Sequence, residues 1–136
     1  MNDAMMQTLQ PPGWARPRGF SNGIAARGNL VFVAGQVGWT GQGEWRERSF
    51  AGQFRQALQN IIAVLKEANA RPEHIVRLTW YVLDKKEYLA SLREVGAAYR
   101  ELMGRHYPTM AVVQVSGLVE DEARLEIEAT EVVPEN

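Results

Sequence analysis

Two glutamates one residue apart, Glu126 and Glu128, are the side chains whose type and spacing best suit chemistry in this chain. They stand in Arg124-Leu-Glu-Ile-Glu-Ala-Thr-Glu-Val132, where apolar and polar residues alternate. That period of two predicts a strand with Leu125, Ile127 and Ala129 on one face and Glu126, Glu128 and Thr130 on the other. Two acids on one β-face call for water, a cation or a ligand to meet them. A partly desolvated carboxylate beside an apolar rim can act as a general base or hold a water. The competing reading is a pair of solvated strand acids, or acids paired with Arg77 or Arg124.

Other chemistry is poorly supported. The chain has no cysteine, which removes thiol catalysis, disulfides and thiolate metal sites. His74 and His106 are far apart and have no second ligand at metal spacing, so no metal site is expected. Ser21, Ser49, Ser91 and Ser116 lack a Gly-x-Ser-x-Gly setting, and Gly19 to Gly28 lacks phosphate-binding spacing. Gly35-Gln36, closing an apolar strand, can expose backbone to a ligand or form an ordinary bulge. Trp14, Trp39, Trp45 and Phe20 suit an aromatic-lined pocket or a subunit interface equally well.

Composition sets the frame for these residues. The 136 residues fit one domain, 46% apolar and 23% charged, as in an ordinary globular protein. Fifteen basic and sixteen acidic residues are interspersed, so no electrostatic footprint for nucleic acid or an anionic membrane is expected. The N-terminus lacks the pattern of a signal peptide and no window suits a membrane helix, so a cytoplasmic location is expected.

Residues 1–18, rich in Pro and Gly, are expected to form an extended lead-in anchored through Trp14 and Phe20, with 19–136 as a single domain. Leu30 to Ala34 is a buried-type strand. From Ser49, Phe54, Ala57, Leu58, Ile61, Ile62 and Leu65 fall at helical spacing, ended by Asn69 and Pro72. Ile75 to Leu83 follows as a strand. Asp84 and Glu87 then resemble a capping box opening a second helix that runs through Tyr88, Leu92, Val95, Tyr99 and Leu102 to Gly104. Met110 to Gly117 and Arg124 to Val132 complete the sheet. Two helices can cover one sheet face. The other is expected to carry Arg77, Thr79, Tyr81, Met110, Val112 and Gln114 together with the two glutamates. Such a face is too apolar to be left in water, so closure in an oligomer, with pockets between subunits, is expected.

Four ordered segments carry a family resemblance: Gly19-Phe-Ser-Asn-Gly-Ile, Gly28-Asn-Leu-Val-Phe-Val-Ala-Gly-Gln36, Tyr107-Pro-Thr-Met and Leu125-Glu-Ile-Glu-Ala129. Over residues 19–133 the chain resembles the RidA (YjgF, reactive intermediate deaminase) family. The resemblance implies a chorismate mutase-like α+β fold and a homotrimer whose sheets form a central barrel with three clefts between subunits. It also implies hydrolysis of enamines or imines to a carbonyl product and ammonia, with no metal or cofactor. By the same resemblance Glu126 positions the water, and the ligand contacts are Phe20 (usually Tyr), Gly35 and position 110; Val112, on the uncovered sheet face, and Trp39, on an apolar wall, are expected to join them in binding substrate. That last position, an arginine in the active branch, is Met110 here. A thioether cannot make the charge-assisted bond that holds a substrate carboxylate.

The chain thus resembles an arginine-lacking branch that includes 2-aminomuconate deaminases. Arg16 or Arg18 is the candidate replacement cation, and the expected ligand is an enamine, an imine or an aromatic-derived acid. Two alternatives remain at this point. One is a non-catalytic trimer that binds a small metabolite or a protein. The other is an endoribonuclease or translation inhibitor, which the balanced charge does not favour.

Overall fold

A computed structural model describes residues 6–135; the first five residues of the expected lead-in lie outside the described residues. Strands β1 (Met6–Leu9) and β2 (Gly23–Ala26) pair as a separate antiparallel ribbon. The main sheet has four strands: β3 (Asn29–Val37), β4 (Ile75–Val82), β5 (Thr109–Gln114) and β6 (Leu125–Val133). Their order is β3-β6-β4-β5, with β4 and β5 parallel and the other pairs antiparallel. The architecture is therefore α+β around a mixed sheet, as expected.

Helix α1 (Phe50–Lys66) begins where Ser49 Oγ accepts from the Gly52 amide at 3.0 Å, closing one of the donors a helix start leaves unpaired. The turn that follows it carries Asn69 at φ 55°, and the Ala70 amide reaches back to the Leu65 carbonyl at 2.9 Å. This is the left-handed cap that asparagine tolerates. Phe54, Ala57, Leu58, Ile61 and Leu65 are fully buried. They meet Leu78, Trp80, Leu125 and Ile127 from the sheet in one core, and Phe54 stacks on Trp80 with centroids 4.7 Å apart.

The expected second helix is two: α2 (Lys85–Ala90) and α3 (Leu92–Met103). Asp84 caps the first by accepting from the Lys86 amide at 2.9 Å, but the capping box does not close. Glu87 is held by Arg124 at 2.7 Å instead. The break falls at Ser91, whose hydroxyl donates to the Glu87 carbonyl at 2.8 Å while its amide turns to the Tyr88 carbonyl. A serine hydroxyl competing for the i−4 carbonyl bends a helix in this way. Gly104, at φ 66°, stops α3.

Register corrects the expected face assignment. In the parallel β4–β5 pair, Leu78 stands beside Met110, Trp80 beside Val112 and Val82 beside Gln114. Residues in register share a side, so Met110, Val112 and Gln114 point toward the helices, not toward the glutamates. Gln114 accordingly accepts from the Lys85 amide at the start of α2, at 2.8 Å. The open face carries the other parity: Thr79 and Tyr81 beside Ala111 and Val113, and beside Glu128 and Glu126. Phe32, 71% exposed, lies on it opposite Thr130. Alternation fixes parity within each strand, but Met-x-Val and Ala-x-Val are both apolar enough for either side.

Candidate functional site

On the open face, β6 brings Glu126 beside Tyr81 of β4. Across β6, the pairing with β3 slips by one residue between Val33 and Gln36, so the extra residue of this bulge falls at Ala34-Gly35. Glu126 fills the space this creates. A Cβ added at Gly35 would come within 2.8 Å of Glu126 Cδ and 3.0 Å of its Cγ, and closer still to Oε2. The close approach that Gly35 permits is thus to a carboxylate from the neighbouring strand. No side chain among the described residues hydrogen-bonds to or pairs with Glu126, whereas Glu128 accepts the Tyr81 hydroxyl at 2.6 Å. That bond is the main cause holding the Tyr81 phenol above its ordinary pKa, with burial and the two nearby carboxylates adding to it. One glutamate is engaged and the other is free.

On the helix side lies a cleft of about 520 Å³. Its apolar walls include Phe20, Met110 and Val112 together with Leu92 and Val95 of α3. Four further rings line it, from Trp80, Tyr88, Tyr99 and Tyr107. Tyr99 and Tyr107 stack nearly parallel with centroids 5.4 Å apart, and burial pushes the Tyr99 phenol up strongly. Trp80 is buried, and its indole N–H has no hydrogen-bond partner among the described residues.

Phe20 reaches this cleft because Ser21 ties its segment to the entry of β5. The Ser21 amide donates to the Pro108 carbonyl at 3.1 Å and its hydroxyl to the Tyr107 carbonyl at 2.5 Å. Trp14, expected as an anchor, is 62% exposed. Sequence reasoning favoured large aromatics as anchors; a serine making two backbone bonds does the work with less surface.

The sequence-derived candidates therefore fall into three places within one chain. Phe20, Met110 and Val112 share the cleft; Glu126 and Gly35 touch each other on the opposite sheet face; Trp39 packs on Trp45 in the loop after β3, centroids 5.7 Å apart. Arg18 lines the cleft, as does Arg100 of α3, which sequence reasoning missed. The signal was present: Arg100 lies four residues after Gly96 and one after Tyr99 on a helix whose other face is core. His74 closes a short 3-10 helix, Pro72–His74, and accepts from the Arg71 amide at 3.0 Å, while His106 is a loop residue 2.6 Å from the Ile75 carbonyl. Among the described residues no cluster of three or more His, Asp or Glu could hold a metal ion, and no helix is long and apolar enough to cross a membrane.

Residues 15–133 match the family model described as Endoribonuclease L-PSP. A RutC family protein of Pyrococcus horikoshii is 35% identical over 111 residues, covering 81% of this chain and 83% of that protein. A RutC family protein of Synechocystis is 31% identical over 136 residues, covering 98% and 99%. Among solved structures, a protein of unknown function of the Rid family from Yersinia pestis superposes with a TM-score of 0.84 at 28% identity, covering 95% of this chain and 99% of that one. The YjgF gene product of E. coli gives 0.65 at 29% identity, covering 79% and 84%.

Proposed function

Since the chain belongs to the Endoribonuclease L-PSP family, the group of the YjgF and Rid proteins, we propose that it is a cofactor-free hydrolase of an enamine or imine. The observation that carries this reading is the Glu126 carboxylate, without a side-chain partner among the described residues and seated against Gly35. In the proposed step Glu126 takes a proton from a bound water as the water oxygen bonds to the C=N carbon, whose π electrons move to nitrogen. Return of that proton to nitrogen gives the neutral carbinolamine; Glu126 then carries the hydroxyl proton to nitrogen, and the O–H electron pair forms C=O as the C–N bond breaks, releasing ammonia and a carbonyl product. An enamine enters the same route after protonation on carbon.

Glu126 and the aromatic cleft lie on opposite sides of one sheet, so the proposed site is completed between copies. Edge strands β3 and β5 and the exposed Leu30, Phe32 and Val113 are the surface that a homotrimer would cover. Phe32→Asp would place an unpaired charge in that contact. It is expected to lower the mass measured by light scattering from three times the 15.3 kDa chain to one. An unchanged trimer would exclude the Phe32 face as the contact. A cytoplasmic location belongs to the same proposal and rests on the sequence alone.

The test of function is ammonia release from imines generated in solution, compared with the rate in buffer. Acceleration that is lost in Glu126→Gln supports the hydrolase; no acceleration with any imine or aminomuconate-type substrate rejects it. The second reading, a non-catalytic binding module, is favoured by the apolar wall of Phe20, Met110 and Val112, and would then stand.

A further inference from the structure

Two guanidinium groups line the aromatic cleft, Arg18 beside Gly19-Phe20 and Arg100 on α3, and among the described residues no carboxylate side chain lines it. Arg100 folds back along its helix, its Nη1 lying 3.4 Å from the place a Cβ would take at Gly96. Neither arginine forms an ion pair among the described residues, although four other arginines do. In a protein of net charge −1 this cleft is a local concentration of positive charge over an aromatic floor. Guanidinium groups bind planar anions through paired donors and also stack on rings.

We propose that the cleft takes a planar, conjugated or aromatic carboxylate whose body lies on the rings around Met110 and whose anion is held by Arg18 and Arg100. The choice of carboxylate over other anions rests on the hydrolase reading; the anion site itself rests on the two arginines. Met110 then has a positive role, as the apolar floor under the conjugated body, with the cations moved to the cleft walls. The volume of about 520 Å³ admits one such ligand with water.

The experiment is calorimetric titration of the full chain with trans-cinnamate, its neutral amide and phenyl phosphate. Cinnamate is expected to bind about tenfold or more tighter than the amide, with affinity falling as salt rises. Arg100→Met and Arg18→Met are each expected to weaken cinnamate about tenfold while leaving the amide unchanged, and Arg100→Lys to recover part of the loss. Melting temperatures within a few degrees of the parent would exclude a folding defect. Equal affinity for acid and amide, loss of both ligands in the arginine variants, or no binding of cinnamate would overturn the proposal. Tighter binding of phenyl phosphate would overturn the carboxylate assignment. Failure here with Glu126-dependent ammonia release intact would leave the hydrolase reading standing. Arginine-dependent cinnamate binding without turnover would reject only the hydrolase.

Discussion

Replacing Glu126 with Gln is expected to lower ammonia release from a competent imine by about 10²–10⁴-fold, the usual worth of a positioned proton-transfer group. Gly35→Ala is expected to cost activity as well, although it leaves every ionisable group in place. The reason is spatial: the added methyl would occupy the position of the Glu126 carboxylate, within 2.8 Å of Cδ. Gly35 is not among the glycines at positive φ, so the backbone accepts alanine without strain. The clash is with a flexible side chain that can swing away, so stability should change by no more than about 1 kcal/mol. Activity should nonetheless fall at least about tenfold, because a carboxylate displaced by an ångström no longer aligns its water. Gly41→Ala, where nothing lies within 4 Å, is the matched control. A Gly35→Ala enzyme with full turnover would show that the seat against β3 does not position Glu126.

Glu131 is expected to make the protein lose stability as pH rises. It shares the core-facing parity of Leu125, Ile127 and Ala129, stands between Val31 and Ile75, and is fully buried with both carboxylate oxygens unpartnered among the described residues. Burial raises its pKa from 4.5 to about 7. The folded state therefore holds a proton that the unfolded state releases. Its stability contribution is complete below about pH 4.5, is lost as pH rises toward 7, and is level above that. At 1.36 kcal/mol per pKa unit the total is about 3 kcal/mol. Glu131→Gln cannot ionise and keeps the volume, so it should match the parent at pH 4.5 and exceed it by about 3 kcal/mol at pH 8. Urea midpoints at the two pH values, taken at fixed chain concentration, provide the measurement. An equal difference between parent and variant at both would mean that ionisation of Glu131 is not the cause.

Most of the local structure was legible because it depends on nearest neighbours. Ser49 and Asn69 bracket α1, Gly104 ends α3, and the alternation of Leu125 to Thr130 places three apolar side chains in the core and leaves three polar ones out of it. The same alternation continues to Glu131 and places it on the core side. The break at Ser91 was less visible, because a serine in a helical stripe is compatible with continuation until its hydroxyl finds the carbonyl four residues back.

The sequence by itself determined the α+β class, the family, and the identity of Glu126, Gly35, Phe20 and Met110 as residues of interest, since motifs and periodicity are properties of short segments. Tertiary structure alone decided which of them meet. The parallel register of β4 and β5 turned Met110 and Val112 toward the helices, a one-residue bulge seated Glu126 on Gly35 of another strand, and the Ser21 anchor with the fold of α3 brought Arg18 and Arg100 to one cleft. Register and side are set by pairing between segments tens of residues apart, and a one-residue change in either moves a side chain to the opposite face of the sheet.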